Sequence, residues 1–243
     1  MSAIIMHDVS KRYGHTTAFD HVTLSVSSGT VYGLIGTNGA GKSTLMRVLA
    51  TLERPTSGKL TILDLDAERA SREIRRAVGY VPDDNTAFRG ITVGEHLDFL
   101  AQCYGLSYRE RLANVDTMLQ LVELDRLRHV STIDLSRGFR QRLSLASALV
   151  HDPQLLIMDE PLSGLDFAGR EEMLEVLSEL RRMGKTIVLA SHAVEDVRRL
   201  CDAVGLLHKG VLVDSGTLDR VLETESAESL PEALTQTLRG LAA

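Results

Sequence analysis

Short apolar runs alternate along the chain with longer segments in which apolar residues recur every three to four positions. Runs of four or five apolar residues are typical of strands buried in a parallel sheet, whereas the periodic segments are typical of amphipathic helices. Strands that alternate with helices favour a parallel sheet with crossover helices, which is an α/β fold. The predicted buried strands are 31–35, 77–81, 155–158 and 186–190.

Residues 91–134 depart from this alternation, because apolar residues keep a helical spacing there and no strand-like run intervenes. The two stripes that show the spacing are Leu97, Leu100, Ala101 and Tyr104, then Val115, Met118, Leu119 and Val122. We therefore expect a group of helices inserted into the α/β core.

Two features are predicted near the C-terminal end of the sequence. Apolar runs at 204–207 and 211–214 flank a Lys-Gly pair, a pattern that indicates a hairpin. Beyond Leu218, leucines at 230, 234, 238 and 241 form a weak amphipathic stripe. Such a stripe is typical of a helix packed on the core.

Composition narrows the class of protein. The chain has 243 residues, of which 44% are hydrophobic and 25% charged, as in folded globular domains. No apolar stretch approaches the ~18 residues of a membrane-spanning helix, and the first residues do not resemble a secretory signal. Two cysteines, Cys103 and Cys201, are too few for a disulfide framework, and a net charge of −6 disfavours direct nucleic-acid binding. We expect a cytoplasmic protein.

A glycine-rich loop follows the first predicted strand. Residues 36–43 read GTNGAGKS and match the pattern G-x-x-x-x-G-K-S/T. Its glycines allow backbone N–H groups to approach an anion, Lys42 supplies a charge for the β- and γ-phosphates, and Ser43 offers an oxygen ligand to Mg²⁺. The pattern alone does not distinguish an ATPase from a GTPase or a kinase. The predicted phosphate-binding residues are Gly36, Asn38, Gly39, Ala40, Gly41, Lys42, Ser43 and Thr44.

Acidic residues follow a second predicted strand. Asp159 and Glu160 come directly after 155–158, and at the carboxyl edge of a parallel sheet they would lie beside the phosphate loop. Asp159 is then a candidate Mg²⁺ ligand, and Glu160 a candidate base for the attacking water. Alone, the two acids could simply cap a buried strand. His192 follows the next strand, and its position alone leaves a structural role and a catalytic role equally open.

Together these motifs resemble the nucleotide-binding subunit of ATP-binding-cassette (ABC) transporters, over residues 4–218. The most diagnostic segment is 135–142, LSRGFRQR, which is similar to the family signature LSGGQ. Residues 163–166, SGLD, resemble the family's D-loop. Tyr13 occupies the place of the aromatic residue that stacks on adenine in the family.

The resemblance implies a P-loop NTPase (RecA-like) core with an N-terminal antiparallel β region and an inserted helical subdomain. We accordingly expect residues 1–243 to form one ABC ATPase domain. Its catalytic core would comprise 1–85 and 141–218, the helical subdomain with the signature 86–140, and a C-terminal helical tail 219–243.

The resemblance also implies a head-to-tail pair of ATPase subunits, with each ATP between the phosphate loop of one and the signature of the other. Ser136 and Gly138 would then contact the partner's γ-phosphate. Ser136 could instead be an ordinary helix N-cap, but the match to the signature outweighs that interpretation. Asp166 would lie at the interface. Glu160 would polarise the water and His192 would hold the γ-phosphate, with Lys42 as the third catalytic residue.

Three departures from the family pattern bear on these expectations. Thr37 replaces a proline of the phosphate loop, where the backbone does the binding. Arg137 and Phe139 replace two positions of the signature. Asp83 stands where the family has the glutamine of its Q-loop; an acid can reach Mg²⁺ or its waters but cannot donate a hydrogen bond.

With Asp83 and the altered signature, the chain resembles one branch of the family, the ATPases of ABC-2-type exporters. The sequence thus predicts a subunit that binds and hydrolyses ATP with Mg²⁺ and powers a separate integral-membrane permease, for export. It would pair with an identical or paralogous subunit and lie on the cytoplasmic face of the membrane. The alternatives are a non-transport ABC ATPase of a soluble assembly, such as iron–sulfur cluster biogenesis, and an inactive nucleotide-sensing module. The cargo is not predicted.

Overall fold

The computed structural model describes residues 1–84 and 87–223, which fold into two sheets with helices around them. The strands are β1 (Ser2–Tyr13), β2 (Thr16–Ser27), β3 (Val31–Gly36), β4 (Ser57–Ile62), β5 (Leu65–Asp66), β6 (Val78–Val81), β7 (Leu155–Asp159), β8 (Thr186–Ser191), β9 (Ala203–His208) and β10 (Val211–Thr217). The helices are α1 (Lys42–Leu49), α2 (Ser71–Ala77), α3 (Val93–Cys103), α4 (Tyr108–Leu121), α5 (Arg137–Leu149), α6 (Phe167–Arg182), α7 (Val194–Leu200) and α8 (Leu218–Glu223), with 3₁₀ turns at Asp125–Leu127 and Thr132–Asp134.

The main sheet has the strand order β10-β9-β3-β8-β7-β6 and confirms the predicted α/β fold. All its neighbouring strands are parallel except β10, which forms the predicted hairpin with β9. The four predicted buried strands are present as β3, β6, β7 and β8. One bound was wrong: Ala77 ends α2, because that helix runs up to the first residue of β6.

The near-continuous apolar runs arise because the main sheet is covered on both faces. Along β7, Leu155 and Ile157 join one buried cluster, and Leu156 and Met158 join the other. The first cluster lies towards α1 and the N-terminal strands, and the second includes residues of α3, α5 and α6. A strand buried on both faces has no polar side, so its sequence shows no alternation.

The N-terminal sheet, in the order β2-β1-β4-β5, is antiparallel throughout, as expected for the N-terminal β region. In β2, buried Val22, Leu24 and Val26 alternate with exposed residues. This period of two is typical of a sheet with one face on the core. The apolar face of β1 and β2 joins the cluster around α1, so it lies next to the phosphate loop.

The predicted group of inserted helices is present as α3, α4 and the start of α5. Capping boxes begin two of these helices: Thr92 with Glu95 for α3, and Ser107 with Glu110 for α4. Within residues 87–135 only a single bridge, between Thr92 and Ser131, has strand character, apart from which this part is helix and turn. The expected subdomain boundary at 140 falls inside α5, so core and helical part share that helix.

Only the start of the C-terminal tail lies in the described part of the chain, as α8. The leucine stripe at 230–241 lies outside the described residues. Within residues 1–84 and 87–223, no helix has both the length and the apolar character needed to cross a membrane.

Candidate nucleotide-binding site

Four neighbouring parallel strands end at one edge of the main sheet, and candidate residues follow each of them. The phosphate loop follows β3, His192 follows β8, Asp159 and Glu160 lie at the end of β7, and Asp83 comes two residues after β6. Strands that run in the same direction present their carboxyl ends together, which is where α/β folds bind ligands. The structure therefore brings these sequence-predicted residues to one place.

The phosphate loop depends on its glycines at three points. Gly39 and Gly41 have φ angles of 78° and 104°, which residues with a side chain rarely adopt. A Cβ on Gly36 would lie 2.3 Å from the Leu207 carbonyl oxygen, and one on Gly41 would lie 2.3 Å from that of Ala18. The loop consequently packs against β2 and β9 at a distance that only glycine permits, and α1 begins at its end.

Lys42 is buried at the start of α1 and directed towards the acidic end of β7. Its Nζ donates to the Gly36 carbonyl oxygen at 2.8 Å and lies 3.5 Å from Oε1 of Glu160. The ammonium group thus connects the phosphate loop with the candidate base. Phosphate oxygens entering the loop would meet a cation already held in place.

Glu160 sits between Lys42 and His192. Its Oε2 accepts a hydrogen bond from Nδ1 of His192 at 2.8 Å, and its backbone N–H donates to the Ala190 carbonyl oxygen at 3.0 Å. The backbone of Glu160 has a φ of 50°, an unfavourable value for a residue with a side chain. Such strain is typical of functional sites, since the surrounding structure must hold it.

Asp159 offers an oxygen of the kind that Mg²⁺ prefers. It is 2% exposed, and its Oδ1 has no hydrogen-bond partner in the described part of the chain. Burial raises the pKa of Asp159, a hydrogen bond from Ser43 lowers it, and the nearby charges of Asp83 and Glu160 raise it further.

A bound cation would compensate both the burial and the repulsion between the acids, so Ser43 and Asp159 fit Mg²⁺. Across residues 1–84 and 87–223, no group of three or more His, Cys, Asp or Glu side chains could hold a metal. Mg²⁺ commonly takes one or two protein ligands and completes its shell with phosphate oxygens and water. The charge of Asp83 raises the pKa of Asp159, so the two acids lie close together, and contact of Asp83 with the metal or its waters stays a prediction.

An open cavity of about 610 Å³ runs from Tyr13 along the phosphate loop to Glu160. This volume is in the range of small-ligand sites. Tyr13 is 44% exposed, and Lys11 Nζ lies 4.8 Å from the centre of its ring. The cavity therefore offers an aromatic surface at one end and phosphate-binding groups at the other. Its lining residues are Tyr13, Thr16, Thr17, Ala18, Thr37, Asn38, Gly39, Ala40, Gly41, Lys42, Ser43, Thr44, Asp83, Glu160 and Lys209.

Ser136 and Gly138 are not among the described residues that line this cavity. Ser136 caps α5 by accepting a hydrogen bond from the Phe139 N–H at 3.4 Å, so the N-cap interpretation is confirmed. Next to it, the guanidinium of Arg137 lies against Gly164, where an added Cβ would be 2.3 Å from Cζ of the arginine. The signature thus packs on the D-loop of its own chain.

Two residues near the cavity were missed by the sequence reasoning. Lys209 lies in the β9–β10 turn, and the next residue, Gly210, donates to the Ala40 carbonyl oxygen at 3.0 Å. Glu53, in the loop after α1, accepts a hydrogen bond from the Tyr13 hydroxyl. The sequence predicted the turn, but its proximity to the phosphate loop follows from β9 pairing with β3, which no local pattern reveals.

The chain is similar to proteins of one known family. Residues 19–163 match the family model described as ABC transporter. The Nod factor export ATP-binding protein I of Mesorhizobium japonicum is 37% identical over 214 residues, which are 88% of this chain and 63% of that protein. The chain thus spans less than two thirds of that relative.

Two further proteins are similar over nearly their whole length. The ABC transporter ATP-binding protein NatA of Bacillus subtilis is 32% identical over 232 residues, covering 93% of this chain and 94% of NatA. The dimeric structure of MJ0796, described as a bacterial ABC transporter cassette, superposes with a TM-score of 0.79 at 27% identity, covering 88% of this chain and 98% of that one. The family-model match, residues 19–163, spans the phosphate loop, Asp159 and Glu160.

Proposed function

Because this chain belongs to the ABC transporter family, we propose that it is an ATP-binding and ATP-hydrolysing subunit that powers a separate membrane permease, for export. The observation that carries the proposal is the grouping of Lys42, Asp159 and Glu160 at one edge of the main sheet. Relatives whose names specify Nod factor export support the direction of transport.

Binding is the work of the phosphate loop and Tyr13. The backbone N–H groups of the loop and the N-terminus of α1 attract the phosphates, and Lys42 adds a full positive charge. Ser43 and Asp159 would hold Mg²⁺, which neutralises phosphate charge when bound. The ring of Tyr13 stacks on the base at the far end of the cavity.

Hydrolysis needs a base and groups that position the γ-phosphate. A water oxygen attacks the γ-phosphorus, the bond from that phosphorus to the bridging oxygen breaks, and ADP and phosphate leave. Glu160 orients the water and accepts its proton. Lys42 now lies 3.5 Å from Glu160, and phosphate oxygens that bind Lys42 release the carboxylate for this task. His192 anchors Glu160 through Nδ1, and Nε2 is the ring atom left for the γ-phosphate.

A second subunit would complete each site. Ser136 and Gly138 lie outside this chain's own nucleotide cavity and at the N-terminus of α5, where N–H groups favour an anion. Near them, Phe167 is 80% exposed next to Asp166. These exposed signature and D-loop residues support a head-to-tail pair, and MJ0796 is a similar cassette whose structure is dimeric.

A second cavity would receive the permease on the cytoplasmic side of the membrane. It is about 270 Å³ in volume and lies between the core and α3, with Phe88, Leu100 and Tyr104 among its lining residues. Pro82 lines this cavity, whereas the next residue, Asp83, lines the nucleotide cavity. A shift of this short segment would couple the two sites, which supports a coupling role for Asp83.

The decisive experiment asks what the ATP-bound chain associates with. Tagged Glu160→Gln chain would be incubated with ATP and Mg²⁺ in detergent-solubilised native membranes and purified, and the co-purifying proteins identified by mass spectrometry. We expect a permease with several membrane spans in stoichiometric amount, which is absent when ATP is omitted. A soluble partner without a permease would instead establish a non-transport ATPase.

A further inference from the structure

Glu53 lies outside every motif described above, yet its carboxylate receives three donors. The Tyr13 hydroxyl donates to it, Arg47 Nε donates at 2.7 Å, and Lys11 Nζ lies at 3.1 Å. Arg47 also donates from its NH2 group to the Thr44 hydroxyl at 3.2 Å. Glu53 and Arg47 together thus connect the aromatic ring at one end of the cavity with the hydroxyl of Thr44, a predicted phosphate-binding residue, at the other.

The position of Tyr13 explains why such a connection matters. Tyr13 is the last residue of β1 and is 44% exposed, so little packing restricts its ring. The hydrogen bond to Glu53 fixes the far end of the side chain, and the Lys11 ammonium lies 4.8 Å from the centre of the ring. A ring fixed in advance loses less side-chain entropy when a base stacks on it.

The charge state of Glu53 suits this role. Its side chain is 22% exposed. Burial by itself raises the pKa of Glu53, but the hydrogen bonds from Tyr13, Arg47 and Lys11 outweigh it and lower the pKa below its usual value. The group is therefore a carboxylate at neutral pH, and its bonds to the two cations are charge-assisted.

We propose that Glu53 is a positioning residue for the nucleotide, which fixes the Tyr13 ring for stacking and orients the Thr44 hydroxyl through Arg47. This inference rests on the proposed function, since it assumes a nucleoside triphosphate in the cavity. Stacking uses the π-face that every base has, so the Tyr13 arm adds affinity without selecting the base. The Arg47–Thr44 arm acts on the phosphates alone.

Two conservative variants separate the contact of Glu53 with Tyr13 from its contact with Arg47. Tyr13→Phe keeps the ring and removes only the hydroxyl that donates to Glu53. Glu53→Gln keeps the shape of the side chain and removes the charge that holds Arg47. Glu68→Gln is the matched control, because Glu68 is an exposed glutamate outside the cavity. The full-length variants would be compared in the dissociation constants of ATP, GTP and inorganic tripolyphosphate, and in the KM and kcat of ATP hydrolysis.

Tyr13→Phe should raise the dissociation constants of ATP and GTP by the same factor, about threefold. It should leave the dissociation constant of tripolyphosphate unchanged, because that ligand has no base. Glu53→Gln should weaken the binding of all three ligands and raise the dissociation constants of the nucleotides by roughly tenfold. In both variants KM should rise while kcat stays within about twofold, since neither side chain reaches the reacting phosphate. When the two substitutions are combined, the dissociation constant of ATP should rise by less than the product of the two separate fold-changes, as expected for groups in contact.

Several results would overturn the inference. If wild-type chain binds and hydrolyses ATP but both variants match Glu68→Gln in KM, Glu53 does not position the nucleotide. The same conclusion follows if Glu53→Gln lowers only the melting temperature. It also follows if Tyr13→Phe weakens the binding of tripolyphosphate as much as the binding of ATP. Failure of the wild-type chain itself to bind ATP with Mg²⁺ would instead refute the proposed function.

Discussion

At the scale of single residues, Glu160 combines an uncommon backbone conformation with two side-chain partners. Its φ of 50° is a strained value, and strain of this kind costs of order 1 kcal/mol or more. In return, the carboxylate is held between Lys42 Nζ at 3.5 Å and His192 Nδ1 at 2.8 Å. In the proposed mechanism, phosphate oxygens that bind Lys42 free this carboxylate to accept a proton, while His192 keeps it in position.

The first prediction concerns that proton. Glu160→Gln keeps the size of the side chain but removes the base, so kcat should fall by about 10² to 10⁴. The dissociation constant of ATP should change by no more than a few-fold, because the phosphate loop is untouched. Phosphate release and equilibrium binding would be measured beside Glu68→Gln. Wild-type turnover in Glu160→Gln would show that another group acts as the base.

Lys42→Ala should mainly weaken the binding of ATP, in contrast to Glu160→Gln. Loss of a charge-assisted contact to phosphate costs about 2 kcal/mol, or roughly 30-fold in the dissociation constant. The control is Lys59→Ala, at an exposed lysine of β4. ATP affinity would be measured by calorimetry at fixed Mg²⁺ concentration. An affinity equal to that of the control would contradict the assignment of the phosphate loop.

Residues were predictable from sequence where a role depends on neighbours in the chain. Lys42 and Ser43 could be recognised as candidate residues because the loop and the helix that follows it are contiguous. Glu53 could not, since its contact with Tyr13 spans 40 residues and depends on where α1 ends relative to β1. Lys209 was missed for the same reason: the order of strands in the sheet places it in the cavity.

At the scale of elements, strands buried on both faces were easier to predict than strands in the N-terminal sheet. β3, β7 and β8 consist mainly of apolar residues and are buried throughout. In β1 the alternation breaks, because the register with its neighbours shifts at bulges and Asp8 has a φ of 55°. A period of two cannot be recognised across such breaks, so this region was expected from the family resemblance alone.

The junction of core and helical part contains a histidine that should make stability depend on pH. His151, just after α5, stacks on Tyr104 with ring centres 3.6 Å apart, and its Nε2 is 3.2 Å from the Val78 carbonyl oxygen. Burial lowers the pKa of His151 from 6.5 to about 4. The folded state therefore holds this ring neutral at a pH where the unfolded chain protonates it.

The sign of the effect follows from this lowered pKa. The contribution of His151 to the free energy of unfolding is complete above pH 6.5 and is lost as the pH falls towards 4. Urea unfolding at pH 7.5 and 5 should show that His151→Gln is less stable at pH 7.5 but loses less stability on acidification than wild-type chain. His15→Gln, at an exposed histidine, is the control. If His151→Gln and wild-type chain lose the same free energy of unfolding between pH 7.5 and 5, His151 does not cause the pH dependence.

At the scale of the whole molecule, the nucleotide cavity and the signature lie at different places on the chain. The cavity at the edge of the main sheet is lined by the phosphate loop, Asp83 and Glu160, whereas the signature lies at the start of α5 against the D-loop. A local pattern identifies the phosphate loop, whereas the signature was identified through the family resemblance. How they meet depends on a second subunit, so it was expected from the family resemblance and stays a prediction.

Gly138 allows that prediction to be tested without disturbing the fold. An added Cβ at Gly138 would meet only Cδ2 of Leu165, at 3.7 Å, which is an ordinary contact. Gly138→Asp should therefore fold normally and bind ATP in its own cavity. If the signature contacts the partner's γ-phosphate, however, the new carboxylate would repel that phosphate and prevent pairing.

Light scattering would be measured on Glu160→Gln, which retains ATP, with and without Gly138→Asp. We expect ATP and Mg²⁺ to drive the first to a dimer and to leave the double variant monomeric, although both bind ATP with similar affinity as monomers. Gly138→Ala in the same background tests for size alone and should still dimerise to a measurable extent, because a methyl group carries no charge. A double variant that dimerises as readily as Glu160→Gln would remove the signature from the interface, and with it the proposal that two chains share each ATP.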